Sequence, residues 1–291
     1  MKRLLILLVC LPWWSYGSGW PAAAQCAQPD SQYRHRLVVM PTQLVGPIPV
    51  AWRRMDQVFD DFLMAVLARN TGFDLKYMNG LSVAGLSSGA QRAAVRAVGQ
   101  REVAQYLLLP RFDAPLSLQS NRATWVDRGQ RWLKRQMRAQ EAVSLPLILE
   151  VYDLRRGTLV SQERIPVSAD MPKRAGQGGF AFGPQAQWDL TEFSRVLATQ
   201  LACQPVSVPI IRARGKEVEI QAGADLGIQA GDVLGVELVK AFEFGGQYGY
   251  SSRAIDAKLT IVQVLPERSL ASLSDNAEVL NLQPGDLALA R

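Results

Sequence analysis

The feature that most constrains this chain is a change of pattern between residues 188 and 209. Pro205 and Pro209 stop a helix there and favour extended backbone. Apolar residues recur at helical spacing just before them, at Leu190, Phe193, Val196, Leu197 and Leu201. Strand and helix patterns alternate before this helix, whereas only strand patterns follow it. The sequence therefore predicts two domains, over residues 35–204 and 205–291, with the helix closing the first.

The start of this helix is predicted at Asp189. Glu192 follows Asp189 three residues later, which is the spacing of a capping box. Trp188 and Phe193 flank the cap with the spacing of a hydrophobic staple. These signals predict a helix that begins at Asp189 and is anchored by the two aromatic residues.

The first residues have the pattern of a secretory signal peptide. Lys2 and Arg3 precede a short apolar run, and small residues then allow cleavage after Ala24. The run is too short to span a bilayer. We therefore expect an exported, soluble protein with a polar tail over residues 25–34. Removal of Lys2 and Arg3 with residues 1–24 lowers the formal net charge from +6 to +4.

Two cysteines, Cys26 and Cys203, remain after this cleavage. An even number of cysteines in an oxidising compartment indicates a disulfide, so the sequence predicts a Cys26–Cys203 bond. The alternative is one buried and one exposed free thiol.

The first domain is predicted as a mixed sheet with helices on one side. Strand patterns begin at Arg36, Phe73, Tyr106, Leu145 and Leu159, and helical patterns cover about 52–69 and 88–98. The last two strands form a hairpin through Arg155-Arg156-Gly157. The adjacent Asp60 and Asp61 are expected on the solvated face of the first helix, and His35 is expected to be structural.

The second domain is predicted as a small all-β barrel, so the fold class is α+β. Alternating patterns mark strands at 217–221 and 234–238, and further strands are predicted at 254–265 and 269–273. The sequence Ile228-Gln229-Ala230-Gly231-Asp232 is echoed by Leu282-Gln283-Pro284-Gly285-Asp286, and each precedes a strand. The segment Phe242 to Ser252, rich in glycine and aromatic residues, is expected to be a loop.

No residue set in this chain predicts catalysis, a metal or a cofactor. One histidine and two cysteines in the mature chain cannot build a Cys/His metal cluster. A serine triad and a phosphate-binding glycine loop have no matching motif. A glycosidase that uses two distant carboxylates stays open.

Two segments are predicted to make contacts with other molecules. Residues 122–138 carry six Lys or Arg against Asp127 alone, and Arg128, Arg131, Lys134 and Arg135 are candidates to bind an anionic surface such as peptidoglycan. The alternative is a solvated excursion. Phe180 and Phe182 in a glycine-rich loop are candidates for an assembly contact, or else they cap their own sheet. Nucleic acid is not expected as a partner of an exported protein.

The motifs at Leu201-Ala202-Cys203-Gln204-Pro205 and at Gly223 to Asp232 resemble the flagellar assembly protein T family. Val151-Tyr152-Asp153, Phe182-Gly183 and the Gly285-Asp286 turn fit the same pattern, and the resemblance covers roughly residues 35–291. It implies a first domain similar to the family's middle domain, which resembles the N-terminal domain of the Tol-system propeller protein, and a last domain that is a small barrel. Family members carry a further N-terminal domain, which is not expected here because only about ten residues lie between the predicted signal peptide and the first predicted strand.

The resemblance implies a non-catalytic scaffold of the flagellar basal body. Such a scaffold helps to build a periplasmic ring, similar to the H-ring, around the rod. Its expected partners are basal-body ring and stator-associated proteins, and it is expected to be oligomeric in the ring and monomeric alone. The alternative hypotheses of function are a periplasmic adaptor of an envelope or secretion system and an enzyme that acts on peptidoglycan.

Overall fold

The computed structural model describes residues 32–45, 54–78, 94, 98, 104–113, 142–155, 157–170, 181–244 and 247–290. The described elements form a mixed α/β unit followed by a closed β-barrel, which confirms the α+β class. The predicted signal peptide lies outside these residues.

The first unit is built on a seven-stranded sheet. Its strands are β1 (His35–Val39), β2 (Gln43–Val45), β3 (Phe73–Tyr77), β4 (Tyr106–Asp113), β5 (Ala142–Asp153), β6 (Thr158–Asp170) and β7 (Ala181–Phe182). The strand order is β3-β1-β4-β5-β6-β7, and β2 continues the line of β1 beside β4. Pairing is parallel among β1, β2, β3 and β4 and antiparallel from β4 to β7, so the sheet is mixed.

Helices pack on both faces of this sheet. Leu37 and Val39 of β1 face the core that contains α1 (Met55–Leu67) and α2 (Pro184–Leu201). Val38 and the adjoining Met40 face a second core that includes Val98, a helical residue. The expectation of helices on one side only was therefore wrong. Successive strand residues point to opposite faces, and here both sets are apolar, which is typical of a sheet covered on both sides.

The predicted start of α2 was also wrong. The helix begins at Pro184 after the N-cap Gly183, so Asp189 lies inside it rather than at its cap. Proline suits the first helical position because its φ is already helical and no N–H is needed there. Trp188 is 64% exposed and therefore forms no staple, while Glu192 pairs with Arg195 one turn later. The apolar face begins a turn earlier than expected, at Ala186.

The second unit is a closed six-stranded antiparallel barrel. Its elements are β8 (Val206–Arg214), β9 (Glu217–Ile220), β10 (Val233–Phe244), β11 (Gln247–Val264), β12 (Ser269–Leu273), α3 (Ala277–Leu280) and β13 (Leu287–Ala290). The order around the barrel is β10-β11-β12-β9-β8-β13. Burial alternates strictly along β12, because inward residues fill the barrel and outward ones meet water.

The segment predicted as a loop at Phe242 to Ser252 is the outer end of a hairpin. β10 and β11 stay in antiparallel register as far as Phe244 opposite Gln247. The glycine and aromatic composition suggested a loop, but alternating residues allow a two-stranded ribbon to run on past the barrel. The hairpin at Asp153 to Thr158 agrees with its prediction, and Gly157 takes the positive φ of 65° that this turn requires.

Candidate assembly surfaces

The two units meet around a buried arginine. Arg36, at the start of β1, is 2% exposed, and its Nε donates to Asp74 Oδ2 of β3 at 2.6 Å. Its Nη2 donates to Asp225 Oδ2, in the short 3-10 turn before β10. Asp225 Oδ1 also accepts the backbone N–H groups of Gly223 and Leu226, each at 2.9 Å. One guanidinium therefore joins the sheet to a turn of the barrel.

A second polar contact lies beside this arginine. His35 Nδ1 is 2.9 Å from Gln105 Oε1, and Gln105 Nε2 donates to the backbone oxygen of Ser207 in β8 at 2.8 Å. Burial lowers the pKa of His35, although its hydrogen bonds to Gln105 and to the backbone of Leu201 act in the opposite direction. His35 is therefore structural, and it helps to hold the end of α2 and the start of β8 against the sheet.

The residues just before β1 lie across the barrel. Arg34 N–H donates to the Leu226 oxygen at 3.0 Å, Tyr33 packs against the barrel core, and Gln32 Nε2 donates to Asp232. Gly227 has a φ of 79°, and a Cβ on it would lie 2.2 Å from the Gln32 backbone oxygen. A side chain at this position is therefore excluded by close backbone contact. The end of the predicted polar tail is thus bound to the barrel.

The two echoed sequences form two matching turns. Asp232 Oδ2 accepts the Gln229 N–H at 2.8 Å, and Asp286 Oδ2 accepts the Gln283 N–H at 2.7 Å. The glycine before each aspartate has a positive φ, 93° at Gly231 and 98° at Gly285. Each carboxylate closes its own turn with one oxygen, which leaves the other oxygen for a second contact.

The second carboxylate oxygen of each aspartate binds a different segment of the chain. Asp232 Oδ1 accepts from Gln32 Nε2 at 3.2 Å and so binds the segment before β1. Asp286 Oδ1 accepts from Val239 N–H at 2.7 Å, at the point where β10 leaves the barrel. We call residues 238–244 of β10, with their register partners 247–253 of β11, the ribbon. The matching turns therefore anchor the N-terminal segment and the ribbon.

Residues 215–290 match the family described as Flagellar assembly protein T, C-terminal domain. The barrel is therefore similar to the C-terminal domain of the flagellar assembly protein T family. The match covers the barrel from the turn after β8 to β13, and it confirms the resemblance there. The resemblance of residues 35–204 to the family's middle domain stays a prediction.

Structural comparison finds partial likenesses. The PelC dodecamer from Paraburkholderia phytofirmans is 11% identical, with a TM-score of 0.32 over 60% of this chain and 91% of that chain. The hypothetical protein CT253 from Chlamydia trachomatis is 13% identical, with a TM-score of 0.28 over 47% and 72%. The LpoB C-terminal domain from Salmonella enterica is 13% identical, with a TM-score of 0.25 over 46% and 83%. No curated protein sequence matches the chain.

The residues that carry the resemblance lie in the matching turns and at the contact between the two units around Arg36, which we call the junction. Gly223 to Asp232 contains Asp225, which binds Arg36, and Asp232, which binds Gln32. Gly223 itself lies so close to the strand end at Leu265 that a Cβ would meet its backbone oxygen at 2.0 Å. Sequence reasoning missed Arg36, because a charged residue at a strand entrance gives no sign that its partners lie far along the chain.

A cluster of polar residues surrounds the buried Asp60 on the sheet unit, outside the residues that match the family. Asp60 is 6% exposed, and its Oδ1 accepts from Thr42 N–H at 2.9 Å and from Thr42 Oγ1 at 2.5 Å. Its Oδ2 accepts from the Tyr77 hydroxyl at 2.6 Å. The expectation that Asp60 lies on the solvated face was wrong, and the three hydrogen bonds to its carboxylate offset part of the cost of its burial.

Burial raises the pKa of the Asp60 carboxyl, and the bonds from Thr42 and Tyr77 offset part of this effect. Burial also raises the pKa of Tyr77, and the bond to Asp60 adds to the shift. Asp60, Tyr77, Gln57, Asp61 and Met64 line a cleft of about 340 Å³. All three donors to Asp60 belong to Thr42, just before β2, and Tyr77, at the end of β3. We therefore infer that the cluster is structural and joins β2 and β3 to α1.

The remaining candidate residues are only partly described. Phe182 packs against Phe59 at 5.2 Å and stacks on Phe62 at 5.0 Å between ring centroids. Phe180 lies outside the described residues, so the assembly contact of this pair stays a prediction. Cys203, just after α2, is in a disulfide bond, but Cys26 lies outside the described residues and its pairing stays a prediction. The basic candidates Arg128, Arg131, Lys134 and Arg135 also lie outside them.

Two further findings apply to the described residues alone. None of their helices is both long and apolar enough to cross a membrane. Nor does any group of three His, Cys, Asp or Glu side chains among them lie close enough together to hold a metal ion.

Proposed function

We propose that the chain is an exported, non-catalytic scaffold of the bacterial flagellar basal body, where it helps to assemble a periplasmic ring around the rod. The observation that carries the proposal is the barrel's match to the C-terminal domain of flagellar assembly protein T. That match indicates a role in flagellar assembly. The family resemblance adds two further parts to the proposal. These are the ring itself and partners among basal-body ring and stator-associated proteins.

The junction supports a scaffold. A buried guanidinium with two carboxylate partners and the His35–Gln105–Ser207 contact hold the two units together. Loss of either carboxylate would leave a buried charge poorly compensated, which is costly. The sheet unit and the barrel therefore form one body, as suits a protein whose role is to place binding surfaces at fixed positions.

The first experiment tests the role in the cell. We expect a deletion strain to carry fewer flagella by electron microscopy and to swim poorly, and we expect the full chain supplied in trans to restore both. Normal flagella and normal swimming in the deletion strain would refute the proposal.

The second experiment tests the location. The full chain with a C-terminal tag should be recovered with purified basal bodies, and electron microscopy of those from the deletion strain should show a missing or incomplete ring. A periplasmic protein unrelated to flagella, with the same tag, is the matched control for carry-over. Recovery no better than that of the control, with complete rings in the deletion strain, would contradict the scaffold role.

A further inference from the structure

The outer side of β3 is an open strand edge in the described part of the chain. Among the described strands, β3 lies at the end of its sheet and pairs with β1 alone. Met78 N–H donates to the Val39 oxygen, so the even-numbered residues of β3 bond to β1. Three residues of β3 therefore direct their N–H and C=O groups away from the sheet, namely Phe73, Leu75 and Tyr77.

The helix α1 lies beside this edge and forms a cleft with it. Leu75 packs against the core that contains α1, and the Tyr77 hydroxyl donates to Asp60 of α1. The cleft of about 340 Å³ that Tyr77 and Asp60 line lies at this contact. A chain placed along β3 would direct every second side chain toward α1, and these side chains would reach the cleft.

The cleft is negatively charged. The sequence of α1 contains three aspartates and no lysine or arginine. Burial raises the pKa of Tyr77 most, the hydrogen bond to Asp60 adds to the shift, and the charges of the three aspartates add further. Asp56 Oδ1 is buried without a hydrogen-bond partner, and neither Asp56 nor Asp61 forms an ion pair with a described residue. The described residues therefore leave the charge of these carboxylates unbalanced.

The walls of the cleft suit a long basic side chain. Met64 is half-buried and Tyr77 is 37% exposed, so both offer apolar surface. Lysine and arginine lay their methylene groups along apolar surface while the charged end stays apart from it. A cation is also attracted to the face of a tyrosine ring. Asp61, which is exposed on α1, would then meet the charged end.

We propose that β3 and α1 bind an extended segment of a partner protein that carries lysine or arginine at alternate positions. The segment adds as a strand to the outer edge of β3, and a basic side chain enters the cleft toward Asp61 and Asp56. Main-chain hydrogen bonds supply affinity in such strand addition, and the pocket for alternate side chains supplies specificity. This site is independent of the proposed function, because it can be tested on the purified chain alone.

The test measures the binding of a labelled peptide to the purified chain without residues 1–24. The probe is the fluorescently labelled peptide Ser-Lys-Thr-Lys-Thr-Lys-Ser, and the control peptide has glutamine in place of each lysine. We expect fluorescence anisotropy to show saturable binding of the lysine peptide that weakens at high salt, and no binding of the glutamine peptide. Absence of binding at about 1 mM lysine peptide, or equal binding of the two peptides, would overturn the proposal.

A pair of variants locates the site. Asp61→Lys should weaken binding about tenfold, because it removes one attraction and adds one repulsion, each worth about two- to fivefold at an exposed position. Glu267→Lys makes the same change of net charge at an exposed position near β12 and should leave binding unchanged. Both variants should melt at the temperature of the parent chain, since both side chains are exposed. Equal losses in the two variants would indicate attraction to the overall charge and would remove the site.

Methylated peptides test whether main-chain pairing carries the contact. The N–H groups of alternate residues in a strand point to opposite sides, so methylation of the lysine backbone nitrogens and of the threonine backbone nitrogens blocks different sides. One methylated peptide should therefore lose binding while the other keeps it. Loss with the lysine set indicates an antiparallel added strand, and loss with the threonine set indicates a parallel one. Equal effects of the two methylations would overturn strand addition.

Failure of this site and failure of the proposed function are separate results. If the lysine peptide does not bind, the site is removed, and recovery of the chain with basal bodies still supports the proposed function. If the deletion strain has normal flagella, the proposed function fails, and peptide binding at β3 and α1 still supports the site.

Discussion

Substitution of Asp225 by alanine tests how much the junction depends on its buried arginine. The change removes the carboxylate that Arg36 Nη2 donates to, and it also removes the acceptor of two N–H groups in the 3-10 turn. Arg36 would keep one carboxylate, Asp74, and would remain buried in a site built for two. Because the arginine cannot lose its proton, the charge has to be left poorly compensated or hydrated by opening of the junction.

The magnitude follows from the burial of the two partners. Loss of one partner of a buried ion pair costs about 3–5 kcal/mol of the free energy of unfolding. The Asp225 side chain is 20% exposed and Asp74 remains, so we expect the lower end, about 3 kcal/mol. In a protein of this size, 1 kcal/mol shifts the melting temperature by about 2–4 °C, so Asp225→Ala should lower it by about 6–12 °C.

The assay is thermal unfolding of the purified protein without residues 1–24, followed by near-UV circular dichroism and calorimetry. Asp232→Ala is the matched control, because Asp232 also closes a turn and binds the N-terminal segment but touches no buried cation. Its cost should be about 1 kcal/mol, the net worth of an ordinary hydrogen bond. Asp225→Asn keeps an oxygen for the turn and separates the loss of charge from the loss of the turn. Equal shifts for Asp225→Ala and Asp232→Ala would refute the role assigned to Arg36.

Three further predictions follow from the sheet unit, the barrel and the cysteines. Burial raises the pKa of Asp60 in the folded state, so the contribution of Asp60 to stability falls as pH rises through that pKa. The melting temperature of the wild type relative to that of Asp60→Asn should therefore increase from pH 7 to pH 4. Parallel curves of melting temperature against pH for the two proteins would contradict this. Gly227→Ala should speed tryptic cleavage after Arg34, because its Cβ displaces the backbone of the N-terminal segment, whereas Gly231→Ala, with a positive φ but open space, should not. Denatured, unreduced mature protein should contain no free thiol if its two cysteines are paired, and two thiols per chain would exclude the bond.

Periodicity predicted most of the fold because it reports burial directly. The strand at Glu217 to Ile220 was predicted to within one residue of its observed bounds, since its apolar residues are buried and its glutamates alternate with them on the outer side. The echo of Gly231-Asp232 at Gly285-Asp286 also predicted the turns, because their glycines need positive φ and their aspartates close the turn locally. Such features depend on neighbours in the sequence and can therefore be seen in it.

The errors came where distant parts of the chain decide the outcome. Asp60 was placed in solvent because its donors, Thr42 and Tyr77, lie on other elements. The start of α2 was misplaced because Asp189 and Glu192 have the spacing of a cap, although Pro184 had already begun the helix. Arg36 shows the same limit for the junction, since its partners lie 38 and 189 residues away.

The closed barrel has a mechanical consequence for the strand that bears the ribbon. β10 is bonded to β11 on one side and to β13 on the other, and Asp286 holds the N–H of Val239 at its exit. A pull on the ribbon along the strand direction loads these bonds in shear, so that many must fail together rather than one after another. Arg155 Nη2 also donates to Glu237 Oε2 at 3.1 Å, which passes part of the load to the β5–β6 hairpin. Traction on the ribbon should therefore be shared by both units, and the ribbon should fray before the barrel gives way.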